Sequence, residues 1–126
     1  KCMRIRGAID FTLTEVGPDR VVAEMPIHDG IKNPFGVVHA GAMLWFADVA
    51  ATVLVMGTGV AEEGMKAFPL AISLNANFLG NQKEGSFRAI STFVKKGKTV
   101  SVVRTAVTGA DEKLIADITT SHVLSK

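Results

Sequence analysis

Tyrosine is absent from the chain, tryptophan and cysteine occur once each, and the basic residues gather into no stripe. The single thiol, Cys2, excludes an intrachain disulfide and a cysteine-rich metal site. At the second position it reads as an incidental terminal thiol. One cysteine fits a reducing compartment, and no signal peptide is legible at the start, so a cytoplasmic location is expected. Seven Phe and one Trp do not interleave with the fourteen Lys and Arg. A nucleic-acid surface needs clustered charge beside stacking rings, so nucleic acid is not an expected partner. The formal charge of +2 favours an anionic small ligand only mildly. His28-Asp29-Gly30 reads as a loop, and with no second His or Cys at ligand spacing no metal is expected. Nor does the chain carry a GxSxG elbow, a P-loop or a GxGxxG turn.

What is present is apolar residue in quantity. At 126 residues, 48% hydrophobic and 21% charged, the chain suits one packed domain spanning residues 1–126. Gly36 to Val60 is nearly all apolar and, at about 25 residues, long enough to span a bilayer. His39, Asp48 and many small residues interrupt it, and a mid-membrane Asp costs roughly 3 kcal/mol. The stretch therefore reads as a buried helix, and no membrane partner is expected.

Outside it, period-2 alternation dominates. Val21, Ala23, Met25 and Ile27 share one face of a strand whose Pro26 belongs at an edge or an end. Phe68 to Leu79 sets Leu70, Ile72, Leu74, Ala76 and Phe78 on one face and Ala71, Ser73, Asn75 and Asn77 on the other. Ser86 to Lys95, Thr99 to Thr108 and Lys113 to Leu124 give three more strands joined by short polar turns, hence antiparallel. A helix apolar nearly all round must be buried nearly all round. The expected class is α+β, a curved antiparallel sheet of five to six strands wrapped around one long central helix, with a second subunit covering the rest.

The chemistry concentrates between Asn33 and Asp48. Asn33 precedes Pro34 and is pushed out of helical conformation. His39 falls at the helix start, and Ala40, Gly41 and Ala42 leave the first N–H groups accessible to a polar oxygen, a workable oxyanion hole. Asp48 follows nine residues later, about half a turn away around the helix and roughly 13 Å along it. One chain cannot bring both to one substrate atom, so a shared reaction needs two subunits. Asp48 alone reads equally as a helix carboxylate or hydrogen-bond acceptor, Asn33 as a turn residue, and His122 as structural. The hairpin lysines Lys95, Lys96 and Lys98 read as a solvated turn or a phosphate contact.

Asn33-x-x-Gly36-x-x-His39-Ala40-Gly41, with Asp48 following, resembles the PaaI-like hotdog-fold acyl-CoA thioesterases, whose signature is N-x-x-G-x-x-H-G-G and then a helical acid. The strand after the helix, the Lys-Gly-Lys turn and the closing hairpin fall where that family places them. The resemblance implies hydrolysis of a fatty-acyl or aryl-acyl CoA at a dimer-interface site, in dimers that commonly pair into tetramers. It implies Asp48 as general base or nucleophile, with Asn33, His39, the Ala40 N–H and Gly41 around the thioester carbonyl. Substrate contacts are expected from Ala71, Ser73, Asn81 and Lys98, and no cofactor beyond the substrate's own CoA. Two departures stand out: Ala40 replaces the first motif Gly, and Ala71 stands where some members carry Ser or Thr. Ser73, two residues on, is expected to face the same way as Ala71. The rival readings are a hotdog enoyl-CoA hydratase or dehydratase and a non-catalytic acyl-CoA-binding module. Asp29, Asn33, Pro34 and His39 echo the hydratase order, but at too long a spacing.

Overall fold

The computed structural model describes residues 2–57 and 69–124. Among them, six strands form one sheet: β1 (Thr12–Val16), β2 (Arg20–Pro26), β3 (Pro69–Phe78), β4 (Ser86–Lys95), β5 (Val100–Thr108) and β6 (Leu114–Leu124). Their order is β1-β2-β4-β5-β6-β3, every neighbouring pair antiparallel. Helix α1 (Ala40–Met56) packs against all six strands. This is the expected helix wrapped by a curved antiparallel sheet. The far end of the apolar stretch (58–60) and Phe68 lie outside the described residues.

Two periodicities build the core. Val21, Ala23 and Met25 of β2 are fully buried, and Pro26 closes that strand where its missing N–H costs least. On α1 the buried stripe is Met43, Phe46, Ala47, Ala50, Ala51 and Leu54, the three-and-four spacing of one helix face. Small side chains at 47, 50 and 51 let the sheet come close. Gly57 ends the helix at φ 76, a left-handed position that side chains resist. The opposite face keeps Trp45 at 47% exposure, so one chain does not bury α1 all round. No helix among the described residues is long and apolar enough to cross a membrane.

β3 corrects one expectation. Ala71 pairs with His122 but Ser73 pairs with Ser121, so two residues of β3 advance against one of β6. Such a bulge switches which face each following side chain occupies. Ala71 therefore shares the helix-side face with Leu74, whose partner Thr120 is buried, while Ser73 turns to the outer face. Strict alternation would have kept Ala71 and Ser73 together. β3 is also an edge strand, and Leu70, Ile72, Leu74 and Phe78 on it are all exposed.

Phe46, fully buried and edge-on to Phe11 at 5.2 Å, anchors the helix to the sheet. Phe46→Ala should cost about 3–5 kcal/mol, read as a lower urea midpoint at constant protein concentration.

Candidate active site

The loop ahead of α1 is held by its own amides. Asn33 accepts at Oδ1 from the N–H groups of Phe35 (2.9 Å) and Val37 (3.4 Å), an Asx-type turn. Its own N–H donates to the Val37 carbonyl at 2.8 Å, and Gly36 closes the turn at φ 82. With Oδ1 committed to the loop, Asn33 has donor chemistry, at Nδ2, to offer a ligand. Asn81 clamps the next step. Its Oδ1 accepts from Val38 N–H at 3.1 Å, and its Nδ2 donates to the Val38 carbonyl at 2.9 Å. Expected as a substrate contact, Asn81 is thus engaged in fixing the residue before the helix cap.

His39 is the N-cap of α1 with φ −60 and ψ 137, and its side chain makes no capping bond. It is exposed, as are Ala40 and Gly41. The first intrahelical donors are Ala42 and Met43, both to the His39 carbonyl, so the N–H groups of Ala40 and Gly41 precede the helical ladder. A Cβ added at Gly41 would meet nothing within 4 Å, so the approach is open. His39, Gly41, Ala42 and Trp45 border a cleft of about 310 Å³ whose other wall is the N-terminal segment Ile5 to Ile9.

Asp48 lies elsewhere. Half-buried, it borders a separate cleft of about 440 Å³ between the second half of α1 and the start of β3. Val49, Thr52, Val53, Met56, Pro69, Leu70 and Ala71 complete the walls, so the carboxylate faces largely apolar surroundings. Ser73 is exposed on the outer face and does not border this cleft. Lys98 is exposed on the β4–β5 turn, whose Lys96 and Gly97 border a small pocket beside Val55, on the Asp48 half of the helix. The open helix start and Asp48 thus border two separate clefts.

Sequence reasoning set His122 aside as structural. It is buried on β6, directly across from Ala71. Its Nε2 meets Thr120 Oγ1 at 2.8 Å, while Nδ1 is buried without a partner among the described residues. Burial pushes the imidazole below its ordinary value of 6.5, and the Asp48 charge pulls the other way. The signal was available: Ile118, Thr120 and His122 step by two along a strand whose inner face is core.

The family model for the thioesterase superfamily matches residues 35–116, well over half of the chain. The chain belongs to the thioesterase superfamily. It is a thioester hydrolase with the hotdog fold. It is 31% identical over 108 residues to ComA2 of Bacillus subtilis (strain 168), covering 86% of this chain and 83% of that protein. It is 30% identical over 84 residues to the 1,4-dihydroxy-2-naphthoyl-CoA hydrolase of Escherichia coli (strain K12), covering 67% of this chain and 59% of that one. A thioesterase structure from Staphylococcus aureus subsp. aureus Mu50 superposes with a TM-score of 0.84 at 24% identity, covering 92% and 93% of the two chains.

Two measurements probe this thioesterase's scaffold. Asn81→Ala strands both Val38 backbone groups and should cost about 1–3 kcal/mol in a urea melt. His122 titrates near 6.5 when unfolded and lower when folded, so its stabilising contribution is full above that range and is lost as pH falls through the folded value. Urea midpoints taken from about pH 7.5 down to about pH 5 should therefore fall less in His122→Leu than in the native thioesterase.

Proposed function

We propose that the enzyme hydrolyses acyl-CoA thioesters to a free acid and CoA, with Asp48 as the catalytic carboxylate. The observation that carries this reading is a half-buried acid in an apolar cleft, kept apart within one chain from the open helix start. The E. coli relative's CoA-thioester substrate and the His39-Ala40-Gly41…Asp48 motif, PaaI-like in pattern, support it.

The site is complete when α1 of a second copy brings its helix start to the Asp48 cleft. The N–H groups ahead of the helical ladder, with Asn33 Nδ2 and His39, then polarise the thioester carbonyl. Asp48 takes a proton from the attacking water, or attacks the carbonyl itself to form a mixed anhydride that water then cleaves to the acid and free Asp48; in either route the C–S bond breaks and CoA leaves as the thiolate. Ala40 presents its N–H as a glycine would, because a helical residue needs no positive φ. The walls of Val49, Val53, Met56 and Leu70 take the acyl group, and Lys98 meets the phosphates of CoA. The exposed apolar edge of β3 and the uncovered face of α1 favour a homo-oligomer, a dimer or a pair of dimers working in the cytoplasm. No cofactor enters this chemistry.

Thiol release from acetyl-, phenylacetyl-, hydroxybenzoyl- and C4 to C16 acyl-CoAs tests the reading. Asp48→Asn should lower kcat/KM on the best substrate by about 10²- to 10⁴-fold. Full turnover in that variant would remove Asp48 from the mechanism.

A further inference from the structure

The cleft beside the helix start has no role in the chemistry above, although the donors open onto it. His39 and Gly41 border it directly. Trp45 stands one turn beyond Gly41, and helical side chains lean towards the N-terminus, so the indole overhangs that turn. Gly41 leaves the space between them open, since a Cβ there would meet nothing within 4 Å. The first group attached to a carbonyl held by these donors therefore meets the indole. Apart from Arg6 and His39, every side chain bordering the cleft is apolar. Backbone groups on its wall are already paired, Ala8 N–H with the Gly30 carbonyl at 2.9 Å and Gly30 N–H with His28 Nδ1 at 3.1 Å. An apolar acyl group suits this lining better than the amide-bearing thiol arm of CoA. An apolar cavity of about 150 Å³ holds a benzene molecule, so about 310 Å³ has room for a one- or two-ring group.

The outer wall, residues 5 to 9, is seated by close contact. A Cβ on Gly30 would stand 2.7 Å from the Ala8 carbonyl oxygen and 2.8 Å from His28 Cε1, so only glycine lets the segment lie this near. His28 accepts from Gly30 at Nδ1, which leaves the ring proton on Nε2, 3.3 Å from Asp10 Oδ1. One residue further on, Phe11 meets Trp45 edge-on at 5.1 Å and holds the indole in place. The indole keeps 47% of its surface exposed. We propose that this cleft is the selecting wall of the acyl site, and that Trp45 favours an aryl-acyl group over an alkyl chain of equal size. A ring against the indole gains more than its buried area alone supplies. The proposal rests on the thioester carbonyl docking at the helix start. The apolar walls around Asp48 of the second copy then enclose the other face of the ring.

Thiol release from benzoyl-CoA and heptanoyl-CoA, equal in acyl carbon count, tests the selection. Trp45→Leu keeps an apolar residue without the ring. It should lower the benzoyl-to-heptanoyl ratio of kcat/KM by about 2- to 10-fold relative to the native enzyme, the scale of one aromatic pair. A ratio that holds or rises in Trp45→Leu overturns the proposal. Binding gives a readout independent of turnover. Tyrosine is absent and Trp45 is the single tryptophan, so its emission reports this cleft alone. Phenacyl-CoA, with a CH₂ between carbonyl and sulfur, cannot be hydrolysed as a thioester. It should change Trp45 emission saturably in the native enzyme and in Asp48→Asn, and CoA alone should not. An equal response to CoA alone puts the thiol arm in the cleft, and no response to phenacyl-CoA leaves the cleft without its ring; either result overturns the proposal. Gly30→Ala pushes the segment off its seat and should weaken phenacyl-CoA binding. Asp10→Ala loosens the same segment without that clash and should weaken binding by about 2- to 5-fold, the scale of one exposed ion pair. Full turnover in Asp48→Asn with the emission response intact would remove the acid mechanism and leave the aryl pocket standing.

Discussion

Everything in this enzyme hangs on how α1 is buried. The helix touches all six strands, and in its buried stripe Ala47, Ala50 and Ala51 lie between Met43 and Phe46 on one side and Leu54 on the other. The alanines set a close approach, and the larger residues lock rotation and register, because a packed interior tolerates little displacement. His39 and Asp48 both ride on this helix. Once the stripe is seated, His39 is fixed at one end and Asp48 two and a half turns on, with no flexible element between them. The loop before the cap extends the constraint, since Asn33, Gly36 and Asn81 tie residues 33–38 down through backbone hydrogen bonds.

Much of this architecture was legible from periodicity. Ser86–Lys95 emerges with the bounds its alternation implied, and the helix cap falls at His39. The hairpin turns restricted neighbouring strands to antiparallel pairing. Strand order was less accessible, because the pairing of β3 with β6 joins residues far apart in sequence. The bulge at Ala71–Ser73 was hidden for a different reason. Ile72 is apolar, like its neighbours at 70 and 74, and alternation counted through it assigns every side chain without any visible break.

The site divided along the same line. The acid and the helix start stand in one continuous motif, so local sequence exposes them. Asn81 is defined by a tertiary contact to a backbone more than forty residues away, and His122 by its burial opposite β3. An Asn after a strand resembles a turn residue, and a His on an inner face resembles core. Only the partners distinguish a clamp or an unpaired ring nitrogen from those ordinary roles.

The separation of Asp48 from the helix start has a physical logic beyond geometry. Positive helix ends stabilise anions, so a carboxylate held beside them is a poorer base. Setting Asp48 in the apolar second half of α1 keeps it clear of the donors on its own chain. In the proposed mechanism the isolated chain then holds only part of the site. The proposed mechanism instead brings a second chain's donors to the thioester carbonyl, where they act on the charge that develops there. In that mechanism the apolar surface left exposed on α1 and β3 is the surface across which two chains meet.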